Sequence, residues 1–446
     1  MSYQKAIERL FSMVPELYVS GNAPRKKFSL EQIRILLSRL GNPHCDFPAV
    51  LIAGTNGKGS TASTLGSILT RSGYRTGLYT SPHLVRVNER MRIDGQLIPD
   101  ESFGRIFDLV DRAASKAVEA GELPSIPSFF ELLTAMAFCW FSEQKIDIAV
   151  LEVGLGGRLD ATNVVDPLLS VITDISLDHT EWLGPTRAAI AGEKAGILRM
   201  GGTLVRLTQN PEVDRVLDAA VDRLQARDVV ATDFLPAQES AGSYELVVLG
   251  QRIAIQSPLA GAHQRRNVAL AIRSAVELHG RFGLDHITPE SIAQGIATTD
   301  WPGRMEQMVW HGKQLLLDVA HNPAGAEALL YGMNTVMRYK ASKVLIFSCL
   351  RDKAVVEITR TLFPAFDRVI LVPIASPRAA SLTDLASAAA SAGVLWEIAE
   401  SVEAGLSRAL DCHTEWVVVS GSVYLVGEVR HLMEQLSIRT RSSSVS

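Results

Sequence analysis

The chain has 446 residues, with 44 Lys and Arg against 48 Asp and Glu, a formal net charge of −4. At 47% hydrophobic and 21% charged residues it is too apolar for a disordered chain, and its near-neutral balance argues against a nucleic-acid binder along its whole length. Cys45, Cys139, Cys349 and Cys412 show no CxxC or Cys/His ligand spacing, so free thiols are expected rather than a disulfide frame or a zinc site. The start, MSYQKAIERLF, carries charges where the apolar core of a signal peptide would lie. The longest apolar stretch, Phe129–Phe141, contains Glu131 and, at about 13 residues, is too short to span a bilayer. A soluble, cytoplasmic protein is expected.

In chain order, apolar runs predict buried strands at AVLIA (49–53), TGLYT (76–80), IDIAVLEV (146–153) and LLSVITDI (168–175). Helix-like segments separate them, among them residues 100–121, for which Asp100 is the expected N-cap. Trp301-Pro302-Gly303 breaks both kinds of element and marks a boundary. Beyond it KQLLLDVA (313–320), KVLIFSCL (343–350), RVILVPIA (368–375) and WVVVSGSV (416–423) alternate with helices such as residues 324–339. This is the pattern of an α/β protein with mostly parallel sheets in two domains, residues 1–300 and 304–446. The polar tail, residues 439–446, is expected to fray.

AVLIA runs into Gly54-Thr55-Asn56-Gly57-Lys58-Gly59-Ser60 and then a helix-compatible run. Glycines let the backbone turn tightly and aim N–H groups at phosphate oxygens, the following helix N-terminus adds its dipole, and Lys58 adds a full charge. The spacing departs from GxxxxGK[ST], because two residues separate Gly54 from Gly57 and Gly59 intervenes between Lys58 and Ser60. Strand before and helix after nevertheless favour a nucleotide loop over an incidental glycine-rich turn, and ATP is the expected ligand.

A bound triphosphate needs Mg²⁺ held by hard oxygen ligands. Glu152 ends a buried strand just before Gly154-Leu155-Gly156-Gly157, where open α/β sheets place their ligands. His179 follows another strand end; on its own, a loop histidine is more often a surface or capping residue. Ser81, after TGLYT, makes a third strand end, and the three together are harder to assign to structure alone. Lys194 reads as a solvated helical lysine, and Arg265-Arg266 as either a solvated face or a nucleotide contact. In the second half Asp318 leads into His321-Asn322-Pro323, either an Asx-type cap or a strand end facing the first domain across a cleft.

GTNGKGS, TSPHL with NERMRIDG, LEVGLGGRLDATN, DHTEWLG, GEKAGI, WPGRME and DVAHNP, in that order, resemble the folylpolyglutamate synthase/dihydrofolate synthase family of the Mur-ligase-like group. The resemblance runs from about the first helix to GSVYLVGEV. It implies a P-loop-containing N-terminal ATP-binding domain, a smaller Rossmann-like C-terminal domain, and an ATP-dependent ligase acting through an acyl phosphate. By motif position it implies that Thr55, Asn56, Gly57, Lys58, Gly59, Ser60, Asn267, Arg304 and Asp318 hold ATP. Ser81 and Glu152 would ligate one Mg²⁺ and His179 a second, whereas the loop pattern by itself would put Ser60 on the metal. Lys194 takes the position of a carbamylated lysine, and His321 falls on the glutamate side. Ser128, Phe129, Phe130 and Glu131 with Leu159, Asp160 and Ala161 match segments lining a dihydropteroate site, although Phe129 and Phe130 also read as helix-core aromatics.

Two departures stand out. Asp352-Lys353-Ala354 replaces a frequent DKD, and SFFE replaces the TYFE of some bifunctional members. The implied partners are ATP, L-glutamate, dihydropteroate and reduced folates, for a monomer without nucleic-acid or membrane contacts. The competing expectations are a monofunctional folylpolyglutamate synthase, a Mur-type cell-wall ligase, and a P-loop switch module without ligase chemistry.

Overall fold

The computed structural model describes residues 1–13, 29–236, 242–338 and 340–443. The first sheet contains β1 (Ala49–Ala53), β2 (Thr76–Tyr79), β3 (Met91–Ile93), β4 (Gln96–Leu97), β5 (Ile148–Glu152), β6 (Leu169–Ile172), β7 (Thr203–Arg206) and β8 (Arg227–Val230). Its order is β4-β3-β2-β5-β1-β6-β7-β8; only β3 runs against the other strands, so the β2–β3 and β3–β4 pairings are antiparallel. β1 shows why the central strands read as continuous apolar runs. Ala49, Leu51 and Ala53 enter one core, while Val50 and Ile52 enter the core on the opposite face. Helices Asp100–Glu119, Phe129–Glu143 and Pro211–Leu224 cover the first face; Lys58–Arg71, Ala262–Phe282 and Pro289–Ala297 cover the second.

A hairpin of β9 (Tyr244–Val248) and β10 (Gln251–Ile255) precedes the second domain. The second sheet contains β11 (Glu306–Trp310), β12 (Lys313–Leu317), β13 (Lys343–Phe347), β14 (Arg368–Leu371), β15 (Leu395–Ile398) and β16 (Trp416–Ser420). Its order is β11-β12-β16-β13-β14-β15, parallel except for β11. β16 repeats the alternation: Trp416 and Val418 face one core, Val417 and Val419 the other. The chain therefore forms two α/β domains, each with its own sheet and a core on either face.

Several expectations need correction. Asp100 is the first residue of its helix, and Pro99 holds the cap position. The carboxylate is engaged elsewhere, by the Arg86 guanidinium at 2.7 Å and by Asn88 Nδ2 at 3.0 Å. The strands read as 146–153 and 168–175 are shorter, Ile148–Glu152 and Leu169–Ile172, with residues at both ends outside the sheet. The tail expected to fray is helical to Ser443, and residues 444–446 lie outside the described residues.

Candidate active site

β1 lies between β5 and β6, and the chain crosses β1 on its way from β5 to β6. Such a crossing opens a crevice at the carboxyl ends of the strands. The loops that leave these three strands line a cavity of about 410 Å³, and residues 318–321 from the end of β12 line it from the second domain. Of the residues expected to act, the cavity wall contains Thr55, Asn56, Gly57, Lys58, Gly59, Ser60, Ser81, Glu152, His179, Lys194, Asn267, Arg304, Asp318 and His321.

The phosphate loop is held from the neighbouring strand end. Thr55 N and Asn56 N donate to Asp174 O at 2.9 and 3.2 Å, and Thr173 Oγ1 donates to Asn56 O at 2.7 Å. The helix Lys58–Arg71 begins directly at the lysine, and no side chain among the described residues caps its first N–H groups, so they face the cavity as an anion site. Gly57 has φ +86°, and a Cβ there would lie 2.2 Å from Asn267 Oδ1. Asn267 is itself oriented by donating to Gln264 Oε1 at 2.8 Å. Gly57→Ala should therefore displace Asn267 and weaken ATP binding at least tenfold, with a stability loss of about 1–3 kcal/mol from the left-handed backbone and the clash. Calorimetric titration and thermal melts would read the two effects separately.

Lys58 Nζ donates to Thr55 O at 3.1 Å; burial lowers its pKa, opposed by the charges of Glu152 and Asp178. Burial raises the pKa of Glu152, opposed by Lys58 and by the Ser81 N–H, which donates to Glu152 Oε2 at 3.0 Å. Lys194 is buried and donates to Gly54 O at 2.7 Å. Burial, then the charge of Lys58, bring its pKa down to about 7. The solvated helical lysine read from the sequence is thus a buried amine beside the phosphate loop. Arg304 extends from the linker, and its guanidinium has no hydrogen bond or ion pair among the described residues, a cation left open to a ligand anion. Asp318 accepts from Met305 N at 2.9 Å and Ala320 N at 2.8 Å, so it also shapes the linker and the turn after β12.

Polar side chains join the domains across the cleft. Asn56 and Asn322 exchange amide hydrogen bonds of 3.3 and 2.9 Å, and Asn322 also donates to Asp178 Oδ2 at 3.1 Å. The Asx-cap reading of Asn322 holds as well, since its Oδ1 accepts from Gly325 N at 2.8 Å with Pro323 opening the helix. His321 Nδ1 donates to Val319 O at 2.8 Å, turning Nε2 toward Asp178 Oδ2 at 3.5 Å. Lys353 Nζ donates to Asp178 Oδ1 at 2.7 Å. Burial pushes the Asp178 carboxyl up, but the His321 contact and the Lys353 charge outweigh it and hold it well below the carboxylate range. Asp178, Asn322 and Lys353 are given no site role by the sequence; the available signals were Asp178 beside His179, Asn322 beside His321, and Lys353 at the middle of Asp352-Lys353-Ala354. Arg266, left open between surface and nucleotide, pairs with Asp174 at 2.6 Å.

The pterin segments are not part of this cavity wall. Ser128 and Glu131 form a capping box for the helix Phe129–Glu143. Phe130 is buried, and a Cβ at Gly154 would lie 2.5 Å from its ring, which realises the helix-core alternative. Phe129 stays partly exposed, with the Arg90 guanidinium 5.3 Å from its ring centroid. Asp160 accepts from Leu155 N at 2.8 Å and Thr162 N at 3.0 Å, bracing the glycine loop, while Leu159 and Ala161 flank it.

Ser81 and Glu152 offer hard oxygens beside the phosphate loop, and among the described residues the buried carboxylate receives a single N–H, from Ser81, a donor set that fits Mg²⁺ completed by phosphate and water. Ser60 is buried in the same wall. A second ion at His179 does not fit the observed arrangement: Nε2 already accepts from the Lys353 ammonium at 3.2 Å. Burial, then that charge, push the imidazole pKa down to about 3. Among the described residues, no group of three or more His, Cys, Asp or Glu side chains is placed to hold a metal.

A phosphate loop facing a second α/β domain across a cleft is the architecture of the Mur ligases, ATP-dependent enzymes that form amide bonds. The chain matches the Mur ligase middle domain over residues 128–275 and the Mur ligase glutamate ligase domain over residues 303–423. It is 34% identical to the dihydrofolate synthase/folylpolyglutamate synthase of Bacillus subtilis, covering 91% of this chain and 94% of that one. The structure of Mycobacterium tuberculosis folylpolyglutamate synthase complexed with ADP and AMPPCP superposes with a TM-score of 0.86 at 33% identity, over 96% of this chain and 98% of the other. The Escherichia coli FolC structure in complex with DHPP and ADP gives 0.83 at 29% identity, over 99% of each chain. The chain belongs to the folylpolyglutamate synthase/dihydrofolate synthase family.

Proposed function

We propose that the chain adds L-glutamate to dihydropteroate, forming dihydrofolate, and to reduced folates, in both cases at the expense of ATP. The observation that carries this reading is the convergence of Lys58, Glu152 and Lys194 from one domain with Arg304, Asp318 and His321 from the other on one cavity. Residues 1–300 would bind nucleotide and pterin; residues 304–446 would bring Arg304 and Asp318 to the nucleotide and His321 to glutamate.

The chemistry follows from charge. A carboxylate is a poor acyl donor until its oxygen takes the γ-phosphoryl group of ATP. The N–H groups opening the helix Lys58–Arg71 and the Lys58 ammonium would hold the phosphates and offset charge as the phosphoryl group moves. Mg²⁺ held by Ser81 and Glu152 would add Lewis-acid charge on the same oxygens. Arg304 would neutralise phosphate from the second-domain side. The glutamate amine, placed near His321, then attacks the acyl phosphate, an amide C–N bond forms, and inorganic phosphate leaves. For Lys194, a buried amine with a pKa near 7 is neutral often enough to add CO₂, which would convert it to an anionic carbamate. Ser128, Phe129, Glu131, Leu159, Asp160 and Ala161 would frame the pterin, with Phe130 backing them from the helix core. A cytoplasmic monomer without nucleic-acid partners completes the proposal; no helix among the described residues is long and apolar enough to cross a membrane.

The test is incubation with ATP, Mg²⁺ and L-glutamate plus either dihydropteroate or tetrahydrofolate, following phosphate release and product mass. Glutamylation of both acceptors is expected. Reaction of the folate only would reduce the activity to polyglutamylation, and tight ATP binding without reaction on either would favour a nucleotide switch.

A further inference from the structure

The wall of the cleft at His179 carries a positive charge that the chain supplies from its other domain. Lys353 lies in the loop after β13, its side chain 5% exposed, and reaches Asp178 and His179 of the first domain without lining the cavity. An ammonium has donors and no lone pair, so His179 Nε2 is the acceptor in the 3.2 Å contact. The lone pair thus engaged is the one a metal ion would take. The lysine is also held in place: its N donates to Leu350 O at 3.2 Å, and its carbonyl accepts from Val355 N at 2.8 Å. The adjacent Asp352 is paired with Arg378, which leaves Asp178, across the cleft, as the carboxylate for Lys353.

We propose that Lys353 and a divalent cation at His179 are mutually exclusive, with Lys353 the resident cation whenever the cleft has this closed form. Two like charges cannot share one imidazole lone pair in a buried wall without strong repulsion. Because Lys353 and His179 belong to different domains, entry of a second ion requires Lys353 to withdraw. Lys353 is then a positioning residue that acts through Asp178 and His179. This rests on the nucleotide site proposed above.

The test counts Mn²⁺ by electron paramagnetic resonance in the presence of AMPPCP, for the wild type, Lys353→Met, and Lys353→Met combined with His179→Ala. All three should bind a first ion at Ser81–Glu152, which also reports that the variants fold. Lys353→Met should bind a second ion at least tenfold more tightly than the wild type, and adding His179→Ala should remove that gain. A second ion bound equally or more weakly in Lys353→Met would overturn the proposal while leaving the nucleotide site standing. Absence of the first ion from the wild type would instead overturn the Ser81–Glu152 site, and this proposal with it.

Discussion

Lys58→Ala should lower kcat for glutamylation by about 10³-fold, the scale of losing one charged donor that faces developing negative charge. The fold should survive. Lys58 sits at the first position of its helix, where Ala is also a good residue, and among the described residues its ammonium makes a single hydrogen bond, to Thr55 O. Deleting the amine also removes a buried cation whose burial already lowers its pKa. Far-UV circular dichroism and the melting temperature should therefore stay close to wild type. ATP affinity should fall less than kcat, because the helix N–H groups remain and the lysine matters most while charge moves. Single-turnover kinetics with separately measured nucleotide binding would check this; wild-type turnover would remove Lys58 from the proposed mechanism.

Legibility in the sequence tracked burial. β1 and β16 are buried on both faces and could be read as apolar runs. β8 (Arg227–Val230) and β15 (Leu395–Ile398) are edge strands and largely exposed, so neither carries such a run. The hairpin β9–β10 alternates in burial, but Val247 and Ala254 put apolar side chains on its exposed face, which blurs the alternation in sequence. The phosphate loop, Glu152 and His321 were legible because each follows a recognisable strand end. The Asp178–Lys353 pair was not, since its members lie 175 residues apart and meet only when the two domains face each other. The same limit applies to Lys194: its helix looks solvated in sequence, and only the fold buries the amine against Gly54 O.

That buried amine gives the second large effect. With an unfolded pKa near 10.5 and a folded value of about 7, the folded state binds fewer protons between those limits. Stability conferred through this group therefore rises with pH across pH 7–10.5, with a slope of at most about 1.4 kcal/mol per pH unit. Below pH 7 both states are protonated, and the cost of burying the charge is felt in full. Lys194→Met, which keeps the length and drops the charge, should accordingly gain most in melting temperature over the CO₂-free wild type at pH 6–7, and the gain should vanish near pH 10.5. A pH-independent difference would mean that folding leaves the lysine's pKa unchanged. Catalysis should move the other way. Lys194→Ala should lose about 10²-fold in kcat if an anionic carbamate beside the phosphates is needed, and added short-chain carboxylates should restore part of it. Wild-type kcat should rise with bicarbonate and fall in degassed buffer, since only the neutral amine, abundant above pH 7, adds CO₂. Full activity in Lys194→Ala without any additive would assign the lysine to packing alone.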